Sequence, residues 1–126
     1  MKSAKEIGNF GEECAARYLC KKGYNIIGRN FRCKFGEIDV IAEDDTHIVF
    51  VEVKTRRLSD FQYGRPSDAV DYKKRQRLIN SSHFYMSEHP GGKSPRIDVI
   101  ELLLDFENKK KYIRHIPAAV EDNCYD

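Results

Sequence analysis

Gly36-Glu37-Ile38-Asp39-Val40-Ile41-Ala42 is followed, after Glu43-Asp44-Asp45-Thr46, by Val49-Phe50-Val51-Glu52-Val53-Lys54-Thr55-Arg56. Both runs alternate with the period of a strand and are rich in Ile and Val. The polar segment between them suits a tight turn, so the two are expected to form an antiparallel hairpin. A two-residue turn at Asp45-Thr46 sets the register. Val40 then faces Val51, Ala42 faces Val49, Ile38 faces Val53, Asp39 faces Glu52 and Glu37 faces Lys54. One face is wholly apolar. The other carries Glu37, Asp39, Glu52 and Lys54 beside Ile41 and Phe50.

Directly opposed like charges destabilise a sheet, so an Asp39–Glu52 pair needs a reason. A divalent cation supplies one, because a hard metal draws oxygen ligands together and neutralises their repulsion. Lys54, on the same face, would stand where a water or a phosphate could sit. The plainer alternative is a solvated hairpin face laced with salt bridges. Against it, Ile41 and Phe50 share the charged face and the opposite face is apolar. That pattern points to a central hairpin covered on both sides.

Asp39 followed by Glu52-Val53-Lys54 resembles the signature of the PD-(D/E)XK nuclease superfamily. The fuller string, Gly36-Glu37-Ile38-Asp39 with Phe50-Val51-Glu52-Val53-Lys54-Thr55-Arg56, resembles the YraN-like family of predicted endonucleases, over most of the chain. The resemblance implies a restriction-endonuclease-like α/β core, with a mixed sheet of about five strands flanked by helices. It further implies phosphodiester hydrolysis in nucleic acid, DNA rather than RNA, of structured or branched form. Asp39 and Glu52 would hold Mg²⁺, for which Mn²⁺ could substitute, with the Val53 carbonyl as a further ligand. Lys54 would position and help deprotonate the attacking water. The rival from another class is a nucleic-acid-binding module that keeps the fold without turnover; an intact Asp39, Glu52, Lys54 set argues against it.

At 126 residues, 40% hydrophobic and 33% charged, the chain is expected to form one domain with one core. No apolar run approaches membrane-spanning length and the N-terminus is not signal-like, so a cytoplasmic location away from membranes is expected; the expected assembly is a monomer or homodimer. A net charge of +2 does not by itself announce a nucleic-acid partner. Cys14, Cys20, Cys33 and Cys124 lack the spacing of a zinc site.

Ser3-Ala4-Lys5-Glu6 has capping-box spacing, so a helix is expected from there to about Lys22, stopped by Gly23. Ile7, Phe10, Cys14, Tyr18 and Leu19 form its apolar stripe. Gly8, Gly11, Ala15 and Ala16 leave one side thin enough to lie close to a sheet. Glu12 sits on that thin side. In relatives of the Holliday-junction-resolvase type a first-helix glutamate joins the metal site, and Gly11-Glu12-x-x-Ala matches that feature. A solvated glutamate is the other reading.

Tyr24–Phe31 reads as a strand. Arg29, Arg32 and Lys34, just before the hairpin, serve equally as phosphate anchors or as solubilising surface. Residues 55–64 read as an irregular loop in which Phe61 and Tyr63 stack on bases or simply pack. A second helix is expected from Pro66, aided by Asp68, to about Met86. Val70, Leu78 and Tyr85 mark its buried stripe. Lys74 lies on that stripe, so it either snorkels out or meets an anion. The resemblance favours Lys74, and more weakly Gln76, as members of the site. Lys73, Arg75 and Arg77, with Arg56, suit a phosphate backbone. Strands are expected over 96–104 and 112–116. Asp98 either supports a basic residue or helps to shape the site.

Overall fold

The computed structural model describes residues 2–64 and 70–121, the side chains of 61–63 excepted. Helix α1 (Ala4–Lys21) leads into β1 (Asn25–Cys33), β2 (Gly36–Glu43) and β3 (His47–Arg57). A 3₁₀ turn over Leu58–Tyr63 precedes α2 (Tyr72–Glu88), β4 (Ser94–Asp105) and β5 (Lys110–Val120). The strands form one sheet in the order β1-β2-β3-β4-β5. It is antiparallel except for the β3–β4 pair, which is parallel because α2 crosses between them. This is a mixed α/β architecture, consistent with a restriction-endonuclease-like core.

The capping box forms as expected: the Glu6 amide donates to Ser3 Oγ and the Ser3 amide to Glu6 Oε1, both at 3.2 Å. Gly23 then leaves the helix at φ 98°, a conformation open to glycine at little cost. Ile7, Gly11, Cys14, Ala15, Ala16 and Leu19 are buried. Phe10 departs from the expected stripe and is 44% exposed. The apolar face is narrower than the residue types suggest, because the small residues, not the aromatic, define the contact with the sheet.

One core lies under α1, built on Leu19, Val40, Val49, Val51, Ile100 and Leu102. The other lies under α2, on Ile41, Phe50, Leu78, Ile79, Tyr85 and Val99. The hairpin is therefore covered on both faces. Its register near the turn is as expected, with Val40–Val51, Ile41–Phe50, Ala42–Val49 and Glu43–Ile48 paired.

The pairing stops there, and this corrects the expected register beyond Val40. Ile38 sits in the α2-side core with Ile41 and Phe50, not on the face of Val40. Strict alternation is broken at Asp39. β2 instead keeps its pairs with β1, Phe31–Ile38 and Arg32–Glu37, and parts from β3.

Residues 55–57 continue β3, so the expected loop is shorter and begins as a 3₁₀ turn. The second helix starts at Tyr72, later than expected. Asp71 caps it, accepting from the Lys74 amide at 3.0 Å. Pro66 and Asp68, Cys124, and the side chains of Phe61 and Tyr63 lie outside the described parts. Among the described residues no helix is long and apolar enough to cross a membrane.

Candidate metal and nucleic-acid site

Where β2 parts from β3, a seam opens in the sheet. The Asp39 carboxylate closes it: its Oδ2 accepts from the Val53 amide at 2.8 Å, replacing the ladder bond that β2 would otherwise have made. In an extended strand the N–H and C=O of one residue leave the same edge. The Val53 carbonyl therefore faces the seam as well.

Glu52 reaches the seam from β3 with only 2% of its surface exposed. Lys54 Nζ lies 3.4 Å from Glu52 Oε1, and Lys74 Nζ, from the first turns of α2, lies 3.3 Å from the same oxygen. Lys74 thus meets the anion that its place on the buried stripe called for. The other oxygen, Glu52 Oε2, is buried with no hydrogen-bond partner among the described residues. Unpartnered buried carboxylate oxygens are costly and rare.

Electrostatics mark the same place. Burial and then the Glu52 charge raise Asp39 from 3.8 to about 7, against the pull of the Val53 amide, with Glu12 adding to the rise and Lys74 opposing it. Glu12 approaches from α1 as expected. Its carboxyl is also raised, chiefly by burial, with Arg29 opposing and Glu37 and Glu52 reinforcing. Gly11 makes the approach possible, since a Cβ there would fall 2.9 Å from Thr55 Cβ and collide with the Thr55 hydroxyl.

One contributor escaped sequence reading. Asn30, at φ 52°, turns its side chain between two carboxylates. Oriented by its hydrogen bonds, its amide nitrogen donates to Glu12 Oε1 at 3.0 Å and Glu37 Oε1 at 3.1 Å. The left-handed conformation that aims it is one Asn tolerates better than most residues. An Asn in mid-strand, between Arg29 and Phe31, is the available signal.

The remaining expected residues spread outward. Arg32 is 79% exposed and pairs loosely with Glu37 at 3.6 Å. Arg56 continues the β3 face that carries Glu52 and Lys54, while Lys73, Arg75 and Arg77 are exposed along α2. Gln76 is half-buried. Asp98 does not join the seam. It lies on the α1 side, fully buried, gripped by Arg96 and His115, so it supports basic residues.

Residues 11–102 match the model of the uncharacterised protein family UPF0102. The chain belongs to that family. A UPF0102 protein of Caldanaerobacter subterraneus subsp. tengcongensis is 47% identical over 104 residues, 82% of this chain and 84% of that protein. Another, from Clostridium botulinum strain 657, is 42% identical over 119 residues, 93% of this chain and 95% of its own. The likeness to UPF0102 proteins takes in every seam residue from Glu12 to Lys74. Among solved structures, that of Pyrococcus furiosus SfsA in complex with Ca²⁺ overlays 94% of this chain on 63% of its own. At 16% identity and a TM-score of 0.33, the overlay is too loose to bear on the site of this UPF0102 chain.

Proposed function

We propose that this UPF0102 protein is a metal-dependent nuclease that hydrolyses phosphodiester bonds, with DNA of structured or branched form as the preferred substrate. The observation that carries the reading is the unpartnered, buried Glu52 Oε2 beside a second, half-buried carboxylate, Asp39. Oxygens left without donors inside a protein suit a cation.

The donor set fits Mg²⁺. Among the described residues no three His, Cys, Asp or Glu side chains gather to hold a metal by themselves. Mg²⁺ asks for less, usually one or two carboxylates with the remaining positions filled by water and substrate phosphate. Asp39 and Glu52 would supply the carboxylates and Val53 its carbonyl. Bound there, the cation would act as a Lewis acid on the phosphate and offset its negative charge.

The chain's own residues do the rest. Lys54, held by Glu52, orients the attacking water and stabilises it as its proton leaves. Lys74 keeps Glu52 Oε1 engaged, so that Oε2 is the oxygen presented. Glu12 and Glu37, tied by Asn30, hold the α1 side of the seam negative and offer a place for the departing proton. Arg32, Arg56 and the exposed bases of α2 bind flanking phosphates.

The test is a cleavage screen over branched, nicked and single-stranded DNA and RNA with Mg²⁺ or Mn²⁺, run beside Glu52→Gln. The reading expects metal-dependent cutting by the parent and none by the variant. If the parent binds DNA but cuts nothing across the screen, the fold serves binding alone.

A further inference from the structure

The face that carries the seam continues past Lys54 along a row that hydrolysis leaves unused. Lys54 of β3 is the ladder partner of Glu101 of β4, and Glu101 is the partner of Arg114 of β5. All three share the α2 face of the sheet. Val99, two residues before Glu101, and Ile116, two after Arg114, pack in or against the α2-side core.

Glu101 is only 2% exposed. Arg114 Nη1 pairs with its Oε1 at 3.3 Å, and the Arg114 side chain is 54% exposed. Pairs on an edge strand ordinarily leave both charges wet. Here the anion is sunk and the cation alone reaches solvent, so the carboxylate works as a mount for the guanidinium. Among the described residues this is the single contact the guanidinium makes, which leaves most of a planar fork suited to two phosphate oxygens.

We infer that Arg114, mounted on Glu101, binds a backbone phosphate of the substrate on the β5 side of the reacting one. The inference rests on the nuclease reading for its substrate. Two strand spacings, about 10 Å, separate Lys54 from Arg114 at the backbone. At a rise of about 3.4 Å per nucleotide, the phosphate lies within about three nucleotides of the scissile one. The bound strand therefore crosses the sheet from β2 toward β5.

The test measures binding of a labelled forked DNA in Ca²⁺ across a salt series, for the parent, Arg114→Ala, Arg114→Lys and Glu101→Gln. Arg114→Ala should weaken binding about tenfold and reduce the slope of log affinity against log salt by about one. Its single-turnover rate at saturating DNA with Mg²⁺ should stay within about twofold of the parent. Arg114→Lys should keep the slope while losing part of the affinity. Glu101→Gln should weaken binding in the parent. A single neutral methylphosphonate, scanned along the cut strand, should cost the parent affinity at one position where it costs Arg114→Ala none.

An Arg114→Ala protein with the parent's affinity and salt slope overturns the inference, as does a parent that binds no DNA. The nuclease reading fails differently: the parent would cut nothing while the binding differences persisted.

Discussion

Two buried carboxylate sites, on adjacent parallel strands, are solved in opposite ways. Asp98 of β4 is fully buried and saturated. It accepts from Arg96 Nε and Nη2 at 2.9 Å each, from His115 Nε2 at 2.7 Å and from the Ala118 amide at 2.9 Å. Arg96 donates on to the Tyr24 hydroxyl at 2.7 Å, and His115 Nδ1 lies 3.2 Å from that of Tyr18. Burial alone would raise the Asp98 carboxyl, but those hydrogen bonds outweigh it and hold the group below its ordinary value. At the seam, Glu52 keeps one oxygen unpartnered and Asp39 is pushed up to about 7. A carboxylate whose every lone pair is met inside the protein ties elements together. One left short of donors is what the proposed cation site requires.

The sharpest way to break that contrast is to remove Asp98. Asp98→Ala strands Arg96 and the Ala118 amide in a buried setting and should cost about 3–5 kcal/mol, read by denaturant unfolding. Divalent cation should not restore it. A loss below about 1 kcal/mol would mean that the network is ornament.

Acid and base should then separate the two sites. Asp98, with its lowered value, stabilises the fold above about pH 4, the unfolded reference; that contribution drains away as pH falls through the folded value. Asp39 runs the other way. Between about pH 4 and 7 the metal-free native state holds a proton there that the unfolded chain has released, so stability falls as pH rises. A rise from 3.8 to about 7 corresponds at most to about 4 kcal/mol. Melting of metal-free protein between pH 5 and 8 should show the decline, Mg²⁺ should oppose it, and Asp39→Asn should flatten it.

How far this was legible depends on locality. The turn and the Val40–Val51 to Glu43–Ile48 register follow from alternation alone, and Lys74 from helical spacing. The break at Asp39 did not, because it arises when β2 stays with β1 and leaves β3, a competition between strands. Asn30 depends on one backbone angle, and the Glu101–Arg114 mount on a register between distant strands. Phe10 misled because residue type says apolar where only close packing decides burial.

A smaller effect sharpens the comparison at the helix that serves both sites. Tyr18 of α1 meets His115, while Gly11 brings Glu12 to the seam. Gly11→Ala must displace Thr55 or the helix, at about 1–3 kcal/mol, and should slow cleavage while the Tyr18–His115 end persists. The smallest effect belongs to the solvated rim: Arg32→Ala should change stability by less than about 0.5 kcal/mol, read by thermal melting.

The central claim, that the seam is reserved for a divalent cation, is met most directly by calorimetric titration of Mg²⁺ and Mn²⁺ at neutral pH into the parent, Asp39→Asn, Glu52→Gln and Lys54→Ala. The account predicts one saturable site in the parent, with protons released as Asp39 ionises, so the heat should vary with buffer. It predicts loss of the site in both carboxylate variants and its survival in Lys54→Ala, since a lysine ammonium is no ligand for a cation. A parent that binds no cation, or carboxylate variants that bind it as the parent does, would contradict it.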